Sequence, residues 1–124
     1  MKITFISDTH TKHNQLNLTG GDVLIHSGDF MNSGYVRSNV MSFLDWLTDQ
    51  PYRHKIFIAG NHDRFFQEAP EEKERILEVF YGGLVTYLED SGTKVNDINL
   101  WGSPWQPEFF NWAYNLPIVT GKHF

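Results

Sequence analysis

Lys2-Ile3-Thr4-Phe5-Ile6-Ser7-Asp8-Thr9-His10 decides the fold: an apolar run that stops abruptly on a carboxylate and an imidazole. Ile3, Phe5 and Ile6 are β-branched or aromatic, and so short a run reads as a buried strand rather than a helix. In an extended segment alternate side chains share a face, which predicts that Asp8 and His10 point the same way and clasp one cation between them. A lone Asp-x-His is common, and its plainer reading makes Asp8 a loop-starting cap and His10 a surface histidine. The metal reading gains weight because the same grammar, an apolar strand ending on polar residues, recurs twice downstream.

The second instance is Asp22-Val23-Leu24-Ile25-His26-Ser27, a strand that ends in Gly28-Asp29-Phe30. The glycine allows a tight turn, after which Asp29 sits at its strand's end as Asp8 does. In open α/β sheets ligands gather outside the carboxyl ends of the strands, so parallel strands would bring these two carboxylates together, and a cation would relieve their repulsion. His26 reads as a half-buried histidine bonded to backbone. The third instance is His54-Lys55-Ile56-Phe57-Ile58-Ala59, followed by Gly60-Asn61-His62-Asp63-Arg64. Asn61 offers a neutral amide oxygen to a cation, His62 a proton for a departing alkoxide, and Asp63 a carboxylate to orient the His62 ring.

At 124 residues the chain is read as one domain over 1–124, and 40% hydrophobic with 20% charged residues excludes a disordered chain. No apolar stretch is long enough to span a membrane, and a signal-peptide pattern is absent, so a cytoplasmic location is expected. Zero cysteines removes thiolate ligands and nucleophiles, leaving oxygen and imidazole to hold any metal. A net charge of -5 gives no electrostatic footprint for nucleic acid, which is disfavoured as a partner.

Elsewhere, Val36, Val40, Phe43, Leu44 and Leu47 recur at helical spacing between Tyr35 and Gln50, predicting an amphipathic crossover helix stopped by Pro51, with Met41 and Trp46 as packing residues. Pro70 to Phe80 predicts a second helix whose charge run is a solvated face. Leu84 to Leu88 reads as a strand, and Thr93-Lys94-Val95 with Ile98–Gly102 as a hairpin around Asn96-Asp97. His13 is expected in a solvated loop or behind the site. Trp105, Phe109, Phe110, Trp112 and Tyr114 crowd one segment, which reads first as core.

The motifs Asp8-x-His10, Gly28-Asp29 and Gly60-Asn61-His62-Asp63 together resemble the first three motifs of the calcineurin-like metallophosphoesterase superfamily. Ser7-Asp8-Thr9-His10, Asp22–Asp29 and Gly102-Ser103-Pro104-Trp105-Gln106-Pro107-Glu108-Phe109 bring the chain nearest its small metallophosphoesterase-domain-containing branch. The resemblance implies an α/β fold, the N-terminal part of an α/β/β/α sandwich with parallel strands, crossover helices and then a hairpin. It implies a dinuclear site for divalent ions (Mn, Fe, Zn or Mg) in which Asp8 and His10 hold one ion, Asp29 bridges both and Asn61 holds the second. His62, supported by Asp63, then assists hydrolysis of a phosphomonoester or phosphodiester by metal-bound hydroxide, and Trp105 lies near the cleft. The superfamily's later Gly-His and Gly-His-x-His motifs are absent, and His123 reads as a frayed terminal residue. The expectation is therefore a truncated or split member. It acts on a phosphoester small molecule with impaired activity, works through a second copy or a complementing C-terminal chain, or survives as a noncatalytic metal- or phosphate-binding remnant.

Overall fold

The computed structural model describes residues 1–31 and 37–104, together with the backbone of 106–107 and 115–116. Strands β1 (Ile3–Ile6), β2 (Gly21–His26), β3 (Tyr52–Phe57) and β4 (Thr86–Tyr87) form one sheet in the order β1-β2-β3-β4, every pair parallel. The register sets Ile6 beside His26, His26 beside Phe57 and Phe57 beside Tyr87. The strands thus end in one row, and whatever follows them lines a single edge.

Parallel neighbours need crossovers. Helix α1 (Arg37–Asp49) links β2 to β3 and buries Val40, Phe43, Leu44 and Leu47, the predicted face. Val36 lies outside the described residues, and Met41 and Trp46 pack against the core as expected. A sheet whose order follows the chain sends right-handed crossovers to one face. That face carries the larger core, in which Phe30 stacks on Phe43 at 4.2 Å while Phe57 and Phe66 meet Phe30 edge-on. Fully burying such a ring contributes roughly 1.5–3 kcal/mol. Side-chain alternation sends Val23 and Ile56 to the other face, with Leu88 and Val95, while Leu24 and Phe57 enter the aromatic core.

Several bounds differ from the sequence reading. Strand β3 starts at Tyr52 and ends at Phe57, and β4 keeps two residues of the expected Leu84–Leu88. A short helix α2 (Arg64–Glu68) precedes α3 (Pro70–Arg75), whose continuation Ile76–Phe80 widens into a π turn. The charge run on α3 is not wholly solvated: Lys73 is buried, its ammonium 3.5 Å from Glu89 and 3.6 Å from Glu74. His13 is also buried, against Phe43 and Trp46, rather than solvated.

The hairpin is present as β5 (Ser91–Val95) and β6 (Ile98–Gly102), with Asn96 at φ 53° in its turn. It covers part of the second face and leaves an apolar groove lined by Phe5, Ile25, Ile58, Leu100 and Trp101. Phe5 and Trp101 are 69% and 72% exposed. A two-residue parallel pairing of β7 (Gln106–Pro107) with β8 (Asn115–Leu116) follows. Trp105, the aromatic segment 109–114 and His123 lie outside the described residues, apart from that backbone.

Candidate metal centre

Beyond the last residues of β1 and β2 the two chains remain paired. Ser27 N–H donates to Ile6 O at 2.9 Å, Asp8 N–H to Gly28 O at 2.9 Å, His10 N–H to Asp29 O at 3.0 Å and Thr11 N–H to Phe30 O at 2.7 Å. This ladder is not extended strand: Asp8 (φ 55°), His10 (44°), Thr11 (66°) and Asp29 (60°) all take left-handed backbone. Residues with a Cβ visit that region rarely, at about 1–3 kcal/mol each, and such strain clusters at functional sites. Asp8 and His10 do converge, with His10 Nε2 3.7 Å from Asp8 Oδ1. The cause is this coiled loop and not the strand alternation read from the sequence.

Asp8, His10 and Asp29 each present a ligand atom within 4.8 Å of the others. His10 Nδ1 lies 3.0 Å from Met31 O, and a carbonyl can only accept, so Nδ1 carries the proton. The Nε2 lone pair is therefore left toward Asp8, the tautomer a metal requires. Carboxylate, imidazole and carboxylate with no sulfur suit a divalent cation, and these residues fit one.

The Gly60–Asp63 turn closes the site from β3. His62 N–H donates to Asp29 Oδ1 at 2.9 Å, and the His62 ring meets His10 edge-on with centroids 5.0 Å apart. Asn61 occupies the same turn, partly buried. The turns approach so closely that a Cβ on Gly60 would strike the Asp29 carboxylate, and one on Gly28 would lie 2.8 Å from Gly60 N. The glycines are there for that approach.

Asp63 corrects the expectation that it orients the His62 ring. It is fully buried, and its carboxylate accepts from the backbone: Oδ2 from Asp29 N–H and Gly60 N–H, both 2.7 Å, and Oδ1 from Met31 N–H at 2.9 Å. Asp63 fixes the loops, and His62 through its place in the turn. His26 is fully buried rather than half-buried; its Nδ1 accepts from Gly28 N–H at 3.1 Å and its Nε2 lies 2.9 Å from Thr9 Oγ1. The role of Thr9 had no sequence signal, because its partner is 17 residues away.

The two carboxylates of the candidate site are held in different states. The Ser7 hydroxyl, helped by Asp29 and by His10 and His26, holds Asp8 below the usual carboxylate range against mild desolvation. Burial raises Asp29, opposed by the His62 N–H bond and reinforced by Asp8. Such a split pair is what a cation relieves. Burial pushes Asp63 up to about 7 against its backbone hydrogen bonds, and burial pushes His26 down to about 4.

A parallel sheet whose carboxyl edge gathers an Asp-His-Asp cluster and a Gly-Asn-His-Asp turn defines an α/β scaffold with a candidate metal site where such sheets receive their ligands. The chain matches the profile of the Calcineurin-like phosphoesterase family over residues 1–123, and it belongs to that family of metal-using phosphoester hydrolases. It is 36% identical over 132 residues to Metallophosphoesterase domain-containing protein 1 of Homo sapiens, covering 90% of this chain and 40% of that protein. It is 35% identical over 116 residues to a UPF0046 protein of Caenorhabditis elegans, covering 86% of this chain and 40% of the relative. The chain thus spans about two fifths of the length of these relatives. Among the described residues no helix is long and apolar enough to cross a membrane.

Proposed function

We propose that the chain hydrolyses a small phosphoester, mono- or diester, with Asp8, His10 and Asp29 holding a divalent ion, manganese being the probe of choice. The carrying observation is the ligand cluster within 4.8 Å together with the fixed His10 tautomer. Once bound, the ion supplies acidification of a water and neutralisation of phosphoryl charge. In this reading Asp29 and Asn61 would help to hold a second ion. His62 gives a proton to the leaving alkoxide, a role supported by the 5.0 Å contact of its ring with that of His10.

The test is manganese-dependent hydrolysis of an activated aryl phosphodiester by the full chain. Asp29→Asn is expected to abolish it, and His62→Ala to reduce it by roughly 10²-fold or more. Turnover that survives a chelator and both substitutions would exclude this chain as its source.

The apolar groove beside Phe5 and Trp101 favours a second reading, in which a second copy or a complementing chain covers the open face before the site is competent. Solution mass separates the two readings.

A further inference from the structure

His26 has no part in the reading above, yet it touches both loops that carry the ligands. Gly28 N–H can only donate, so His26 Nδ1 is the acceptor and Nε2 bears the proton. Nε2–H therefore donates to the Thr9 hydroxyl at 2.9 Å. One neutral imidazole receives a hydrogen bond from the turn before Asp29 and gives one to the residue between Asp8 and His10. Phe30 and Phe43 meet the ring edge-on at 6.0 and 5.0 Å and fix its plane. We propose that His26 is a positioning residue for the metal centre, its bond to Thr9 holding the Asp8–Thr11 loop at ligating distance from Asp29.

The backbone ladder joins the loops at Asp8, His10 and Thr11. At Thr9, between the two ligands, the side chain makes the tie. Without a cation, Asp8 and Asp29 repel, and the strained loop has a reason to open at that point. His26 opposes this from the aromatic core, where burial pushes its pKa down to about 4.

The inference rests on the metal reading and is tested by titrating manganese, by calorimetry and by electron paramagnetic resonance, into the wild type, Thr9→Val, His26→Asn and the double variant. Asn at 26 keeps an acceptor near Gly28 but is too short to reach Thr9. Each single variant is expected to lose manganese affinity by about tenfold, as outer-shell partners typically do. The double variant should lose no more than either single one, because one bond is shared. His26→Gln, whose amide N–H reaches Thr9, should recover part of the loss. Single variants that bind manganese like the wild type while melting earlier would overturn the positioning role and leave His26 a core residue. So would losses that multiply in the double variant. A wild type that binds no manganese would overturn the metal reading itself, and with it this inference. Should His26→Asn fail to fold, Thr9→Val alone decides.

Discussion

Asp63 accepts three backbone N–H bonds on two oxygens, so its replacement acts first on folding and only then on chemistry. In Asp63→Asn the amide group turns a donor toward at least one buried N–H, at roughly 1–3 kcal/mol for each donor left without an acceptor. The urea midpoint is expected to fall accordingly, while His62→Ala leaves it nearly unchanged and lowers turnover alone. His26 gives the pH dependence. Its pKa is about 4 folded against 6.5 unfolded, so the unfolded chain binds more protons between those values. The stability His26 contributes is complete above pH 6.5 and is lost as pH falls toward 4, by about 3 kcal/mol in all. Asp63, raised to about 7, has the opposite sign: its share falls as pH rises from 3.8 to 7. The measurement is therefore the difference in unfolding free energy between wild type and His26→Gln, which is expected to shrink on acidification. The candidate ligands were legible at this scale because Asp8, His10 and Asp29 follow apolar strands. The work of Asp63 was not legible, because two of its three donors, Asp29 and Met31, lie more than 30 residues away.

The element that decides the site is a pair of glycine turns in backbone contact. Gly60→Ala would drive a methyl group into the Asp29 carboxylate and its N–H, and Gly28→Ala would place one against Gly60 at a φ of +102°. Both are expected to lose manganese binding and to cost more than about 1 kcal/mol of stability, read by calorimetric titration and thermal unfolding. The glycines could be read as turn residues from sequence, but not as facing one another, since that depends on the β2–β3 register. Helix α1 was legible because 13 residues give several turns of apolar spacing. Helix α2, at five residues, is too short to show a period, whereas the helix expected over Pro70–Phe80 is present as α3 and the π turn that continues it.

Across the whole molecule the sheet order follows the chain, so helices crowd one face and a hairpin covers part of the other. The sequence implied parallel strands and a hairpin; it gave no measure of how much apolar surface would stay open, because that depends on where the hairpin lands. If this face docks a second copy, sedimentation should return more than one chain's mass, and Phe5→Ser with Trp101→Gln should reduce it to one. The ladder that continues past β1 and β2 has its own consequence for how a ligand is received. The amides of Asp8, His10 and Thr11 belong to loops by conformation yet are tied like strand amides. Their hydrogen exchange should follow opening of the sheet rather than local fraying, and should be slow before any ion is added. Ordering entropy for this stretch is then lost during folding, leaving little for the ion to impose. Added manganese should change the exchange of these amides hardly at all, and its binding should carry the small heat-capacity change of a site that was already closed.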